Sequence, residues 1–135
     1  MNWKAPSAIR ECDEWLRITF TFRIFPLSLV WMYFRAKMIE LDDATWKKLK
    51  NTDSWRATDM GEVEYILNST SEIDMCVYDA SKKLRRAFQE SSEAEVFAPI
   101  ILKRKNGNIH LVSGNRRLML ARANNVRPRC LLLVQ

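Results

Sequence analysis

An α+β (or α/β) fold is what the sequence predicts, built on a small mixed sheet that ends in a hairpin, a helix and a closing strand. Three stretches carry that expectation. Asn106-Gly107 stands between the apolar runs APIILK and IHLVS, a strong short-range signal for a β-hairpin because both residues accept positive φ. Gly114 then ends the second run, and NRRLMLARANN follows with Leu118, Ala121 and Arg122 at helical spacing and Asn124 and Asn125 as a left-handed exit. Last comes PRCLLLV, residues 128–134, an apolar run that reads as a buried strand.

Upstream, APSAIRECDEW (residues 5–15) suggests a short helix capped near Ser7. RITFTFRIF (17–25) alternates, with Ile18, Phe20, Phe22 and Ile24 on one side and Arg17, Thr19, Thr21 and Arg23 on the other. That period predicts a half-buried strand, closed by Pro26. LSLVWMYFRAKMI (27–39) is apolar nearly all round, and Pro26 at a first-turn position favours a buried helix there or an oligomer interface. DDATWKKLKN (42–51) has acids at its start and lysines at its end, the polarity of a short helix. Thr58 or Asp59 would cap a helix through GEVEYILN, whose Val63, Ile66 and Leu67 share a face. Residues 72–90 also read as helix, broken near Asp79 to Ser81, and ESSEAE (90–95) as an acidic connection. Residues 1–57 are thus expected as an N-terminal extension packed on a domain of residues 58–135, the two making one compact unit.

At 135 residues the chain is long enough for one core without disulfides or a metal. Cys12, Cys76 and Cys130 lie far apart and His110 is the single histidine, which argues against a closed zinc site of the usual spacing and for reduced thiols. The opening MNWKAPSAIRECDEW mixes acids with apolar residues, unlike a secretory signal, and IFPLSLVWMYF (24–34) is too short to span a bilayer. A cytoplasmic protein with no membrane span is expected.

Charge is distributed unevenly. The formal net charge is +6, yet residues 97–135 hold eight Lys and Arg with no Asp or Glu, leaving the rest of the chain at −2. A one-sided basic segment points to a polyanionic partner, nucleic acid or nucleotide. Within it, SGNRR places Arg116 and Arg117 at a helix start, where the macrodipole disfavours cations. A bound phosphate would reverse that preference. Gly114 would let the ligand approach the backbone, Asn115 would cap or donate, and both arginines would offer forked contacts.

The stretch PIILKRKNGNIHLVSGNRRLMLARANNVRPRCLLLV, residues 99–134, resembles the ParB/sulfiredoxin superfamily. In that family a helix, here SKKLRRAFQES, precedes a P-I-hydrophobic strand, and a hairpin, a G-x-[RH]-R motif, an alanine-containing helix and a closing strand come after it. The likeness covers about residues 80–134 and does not reach residues 1–57. It implies a site for CTP or ATP with Mg, or for DNA backbone phosphate, on Gly114, Asn115, Arg116 and Arg117. ParB-type proteins carry G-E-R-R there, and sulfiredoxins carry G-C-H-R with a nucleophilic cysteine. Asn115 replaces both residues, which removes sulfiredoxin chemistry and the acid on which other catalysis would depend. An arginine ahead of the helix pair also reaches the phosphates in the family, and Arg56 is the candidate here.

Accessory candidates are Lys103, Arg104, Lys105 and Arg129, which would widen the positive field. His110 reads as a ligand contact or base, or as an edge histidine without a role. Glu62 and Glu64 would serve a metal-dependent nuclease, but two apart on a helix they do not face each other. The tryptophans all lie in the first 55 residues, away from the basic segment, and read as core or interface anchors. The expected function is therefore phosphate binding, with no catalytic residue or metal ligand assigned. The alternatives are that nuclease and an interaction module, in which residues 18–34 meet a second copy or a protein partner.

Overall fold

In the computed structural model the described residues are 2–6, 12–52, 58–59, 95–115, 117–118, 121 and 126–135. In chain order the elements are β1 (Asn2–Lys4), α1 (Cys12–Phe22), α2 (Pro26–Phe34), β2 (Lys37–Glu40), α3 (Asp43–Lys48), β3 (Lys50–Asn51), β4 (Thr58–Asp59), β5 (Glu95–Phe97), β6 (Ile100–Lys103), β7 (Ile109–Ser113) and β8 (Arg129–Val134). β1 and β5 form a parallel pair. The other six strands make one mixed sheet in the order β2-β8-β6-β7-β3-β4. β6 runs antiparallel to β7 and parallel to β8, while β7 runs parallel to β3.

Both faces of this sheet are covered, which is why β6 and β8 carry the unbroken apolar runs Ile100–Leu102 and Cys130–Val134. On one face Ile100, Leu102, Val112, Leu131 and Leu133 pack against Ile18 and Phe22 of α1 and Leu29 and Met32 of α2. On the other, Ile101, Leu111 and Cys130 meet Leu41, Leu49, Leu118 and the buried ring of Trp46 from α3. Losing a side chain such as Trp46 or Ile18 to alanine would cost about 2–5 kcal/mol.

The α+β expectation holds at the level of a small multi-strand sheet with a few helices, and the C-terminal half follows it closely. β6, β7 and β8 fall where the hairpin and closing strand were expected. The hairpin turn differs in detail: only Gly107 takes positive φ, at +87°. Arg104 O accepts from Gly107 N at 2.9 Å and Arg104 N donates to Asn108 O at 2.8 Å. This is a type I turn closed by a left-handed glycine, a three-residue loop rather than a two-residue one.

The N-terminal half corrects the reading in several places. Residues 17–22 belong to helix α1, not to a strand. Ile18 and Phe22, four apart, are buried, whereas Phe20 between them is 80% exposed. The apolar stripe is therefore helical, and the β-branched residues that suggested a strand are accommodated by Thr19 Oγ1, which donates to Trp15 O at 2.8 Å. α2 begins with Pro26 in its first turn as expected, but it stops at Phe34. Residues 37–40 become β2 because they pair along β8, from Lys37 opposite Leu132 to Glu40 opposite Arg129, a partner distant in sequence. Similarly, α3 ends at Lys48, and Lys50–Asn51 joins the sheet as β3. Thr58 and Asp59 form β4 against β3, so the boundary drawn at 57/58 runs through one sheet. The helices expected within residues 60–90, and Ser7, lie outside the described residues. No helix among the described residues is long and apolar enough to cross a membrane.

Candidate functional site

The chain leaves β7 through a local irregularity. Ile100 pairs with Ser113 but Ile101 pairs with Leu111, so β7 carries an extra residue just before Gly114. Gly114 then takes φ +95°, and Asn115 is already helical. A Cβ at Gly114 would lie 2.8 Å from both Cα and Cβ of Pro99 and 3.0 Å from Arg117 Nη2. Glycine is demanded here by conformation and by the close approach of Pro99. Leu118 N donates back to Gly114 O at 3.0 Å, and the buried Leu118 and Ala121 anchor the segment in the core.

Around this turn the structure gathers residues from distant parts of the chain. Asn51, buried at the end of β3, donates from Nδ2 to Asn115 Oδ1 at 3.0 Å. Next to it, Thr52 donates to Leu111 O through both its N–H, at 3.0 Å, and its hydroxyl, at 2.8 Å. Arg17 of α1 donates to Thr52 O. Arg117 donates from Nη1 to Phe97 O at 2.8 Å and from Nη2 to Ser113 Oγ at 3.4 Å. Its positive charge also acts on Cys130, where burial nevertheless dominates and pushes the thiol up to about 12.

Of the residues expected at the site, Gly114, Asn115 and Arg117 are therefore brought together, and the last two contact protein groups. Arg116 and Arg56 lie outside the described residues. Lys103, Arg104 and Lys105 stand at the opposite end of the hairpin from Gly114, since Lys103 pairs with Ile109 while Ile100 pairs with Ser113. Arg104 lies over the Phe22 ring at 5.2 Å, with Nε donating to Gln135 Oε1 at 3.5 Å. Arg129 is exposed at the start of β8, opposite Glu40, and Arg127 forms a surface ion pair with Glu40 at 3.4 Å.

His110 is buried rather than at an edge, because β3 extends the sheet beyond β7. Its ring meets Phe22 edge to face at 4.9 Å. Among the described residues neither ring nitrogen has a hydrogen-bond partner. Burial first, then the positive charges of Lys50 and Arg104, hold its pKa below the ordinary 6.5. A histidine buried beneath a phenylalanine, with its proton affinity lowered, does not suit the role of a base. No group of three or more His, Cys, Asp or Glu that could hold a metal ion occurs among the described residues.

The chain matches no protein-family model, no curated protein and no solved structure. Arg17, Asn51 and Thr52 were not anticipated beside the Gly114 turn. The sequence pattern puts Arg17 on the side of a strand opposite Ile18, and Asn51 at a helix end. Only the pairing of β3 with β7 brings Asn51 to Asn115 and Thr52 to Leu111.

Proposed function

We propose that this chain is a binding module for a phosphate-bearing ligand, nucleic acid ahead of free CTP or ATP, engaged at the Gly114 turn and along the basic segment around it. The observation that supports this reading is the layout of the cations in a segment without a single acid. Lys103 and Lys105 stand exposed at one end of the β6–β7 hairpin, and Arg129 and Arg127, the latter in its surface ion pair with Glu40, stand exposed near the other. Four strand residues at about 3.3 Å each separate the two ends by roughly 10 Å or more. One phosphate reaches only one end. A nucleic-acid strand, with a phosphate every ~3.4 Å of helix rise, reaches both.

Arg116 is the residue assigned to the ligand, and Arg117 positions the turn through Phe97 and Ser113. The reading is of binding rather than catalysis: Asn115 supplies no acid, base or nucleophile, and its carbonyl oxygen accepts from Asn51. Titration with duplex DNA, CTP and ATP at two salt concentrations tests it. The expected result is DNA binding that weakens steeply with salt, and an Arg116→Ala chain whose log–log salt slope is smaller by about 1. Saturable, base-selective nucleotide binding without DNA binding would replace nucleic acid by a nucleotide. No binding to any of the three would overturn the proposal.

A further inference from the structure

The end of the sheet away from Gly114 carries a second feature, which shares only Lys105 with the phosphate reading. A cleft of about 480 Å³ opens where α2, the turn before it and the hairpin tip meet, lined by Arg23, Phe25, Trp31, Arg35, Lys105 and Val134 among others. Every charged side chain in that lining is a cation. The Arg35 guanidinium lies over the Trp31 ring at 5.8 Å.

Beside the cleft, α2 has its apolar residues on the wrong side for a helix facing water. Leu29 and Met32 are buried against the sheet. Leu27, Val30, Trp31 and Phe34, at i, i+3, i+4 and i+7, form an outer stripe, and Phe34 and Leu27 are 82% and 71% exposed. Phe25, at the head of the helix, is 79% exposed. The nine residues of α2 contain no charge, and the cations sit on its flanks.

Arg23 adds an observation of a different kind. It is the one non-glycine residue with positive φ, +53°, among the described residues. It ends α1 in the left-handed position where glycine is usual, with Ile24 N donating to Thr19 O at 3.2 Å. An arginine kept in a conformation that glycine adopts more easily is an outlier of the sort that gathers at binding sites.

We propose that the outer face of α2 docks on an anionic phospholipid bilayer, with Phe25, Leu27 and Phe34 entering the acyl boundary and Arg23, Arg35 and Lys105 holding headgroup phosphate in the cleft. Charge complementarity selects this occupant. A second copy of the chain would bring these same cations into apposition, and a small anion in the cleft would leave the outer stripe in water. An apolar face with aromatic residues, flanked by Arg and Lys, is the arrangement that lies in a membrane interface.

Co-sedimentation of the full chain with vesicles tests the proposal, using phosphatidylcholine alone and an equal mixture with phosphatidylglycerol. The mixed vesicles are expected to bind the chain at least about tenfold more tightly. Leu27→Ser with Phe34→Ser, at exposed positions, should abolish that binding while leaving the thermal midpoint unchanged. Arg35→Ala with Lys105→Ala should weaken it by about tenfold, whereas Lys47→Ala with Lys48→Ala, an equal loss of charge on α3 across the sheet, should not. Arg23→Gly should raise the thermal midpoint and weaken vesicle binding together. Failure to bind mixed vesicles would overturn the proposal, and so would equal losses from the α2-side and α3-side pairs. A dimer in sedimentation velocity that Phe34→Ser dissociates would assign the face to a second copy instead.

Discussion

Arg117 donates to the main-chain carbonyl of Phe97 at 2.8 Å, and this bond ties the helical segment after β7 to strand β5. The second arginine of the Gly-Asn-Arg-Arg turn thus supports the fold directly. Loss of a charged hydrogen bond of this kind costs about 1.5–3 kcal/mol. Arg117→Ala is expected to show that loss as a lower urea midpoint with an unchanged slope. Arg117→Lys should recover only part of it, because an ammonium cannot reproduce the forked contact with Phe97 O and Ser113 Oγ. Replacing both arginines at once would mix this structural effect with any loss of binding, so Arg116 alone is the informative position. An Arg117→Ala chain as stable as the wild type would show that the tie contributes nothing.

Gly114 is fixed from two directions. Its φ of +95° is unfavourable for any residue with a Cβ, and that Cβ would also press on Pro99 at 2.8 Å, part of it main chain. Gly114→Ala should therefore destabilise by at least the ~1–3 kcal/mol typical of a strained backbone. Gly107, with φ +87° but nothing within 4 Å of its Cβ position, supplies the control. Gly107→Ala should cost less than Gly114→Ala in the same denaturation series, and equal costs would mean that the Pro99 contact is relieved without penalty.

The contrast between these glycines reflects what local sequence can reveal. Gly107 and Gly114 both announced turns, and β6, β7 and β8 announced strands, because each signal lies within a few neighbouring residues. The α1 segment reads as a strand because Ile18, Phe20, Phe22 and, just past the helix, Ile24 satisfy a period of two, while the sheet surface selects Ile18 and Phe22 at a period near four. β2 and β3 were missed for another reason. Lys37–Glu40 and Lys50–Asn51 have little strand character of their own, and β8 and β7 supply the edges on which they form. The same distance hid the candidate site's surroundings. The Gly114 turn was legible as a motif, but its link to Asn51 spans 64 residues and exists only after β3 has docked.

Cys130 illustrates a buried thiol whose chemistry follows from packing. It is fully buried on β8, and burial outweighs the nearby Arg117 to push its pKa up to about 12. Thiolate, not thiol, is the reactive form. In the folded chain at mildly alkaline pH, Cys130 should resist iodoacetamide, and it should be alkylated readily once urea unfolds the protein. Peptide mapping by mass spectrometry separates it from Cys12 and Cys76. Rapid native labelling at Cys130 would show that this strand opens far more often than its position between β2 and β6 allows.

His110 gives the chain a pH dependence whose sign can be worked out. Its ring packs against Phe22 of α1, Lys50 faces it from β3, and Arg104 approaches from the hairpin. Burial, then those two cations, lowers its folded-state pKa below the unfolded value near 6.5. As pH falls, the unfolded chain takes up the proton first, so protonation favours unfolding. The stabilising contribution of a neutral His110 is complete above 6.5 and is lost as pH falls from there through the lower folded-state value. Asp42 acts in a separate and more acidic window. Its carboxyl is held below 3.8 chiefly by the Thr45 N–H, and that contribution disappears only when the cap is protonated. Urea midpoints measured from about pH 8 to pH 5 should therefore fall for the wild type and stay flatter for His110→Leu, which places an apolar side chain beside Leu102 and removes the titrating group. Parallel curves for the two chains would mean that His110 binds its proton equally well folded and unfolded, and that the ring reaches solvent in the native state.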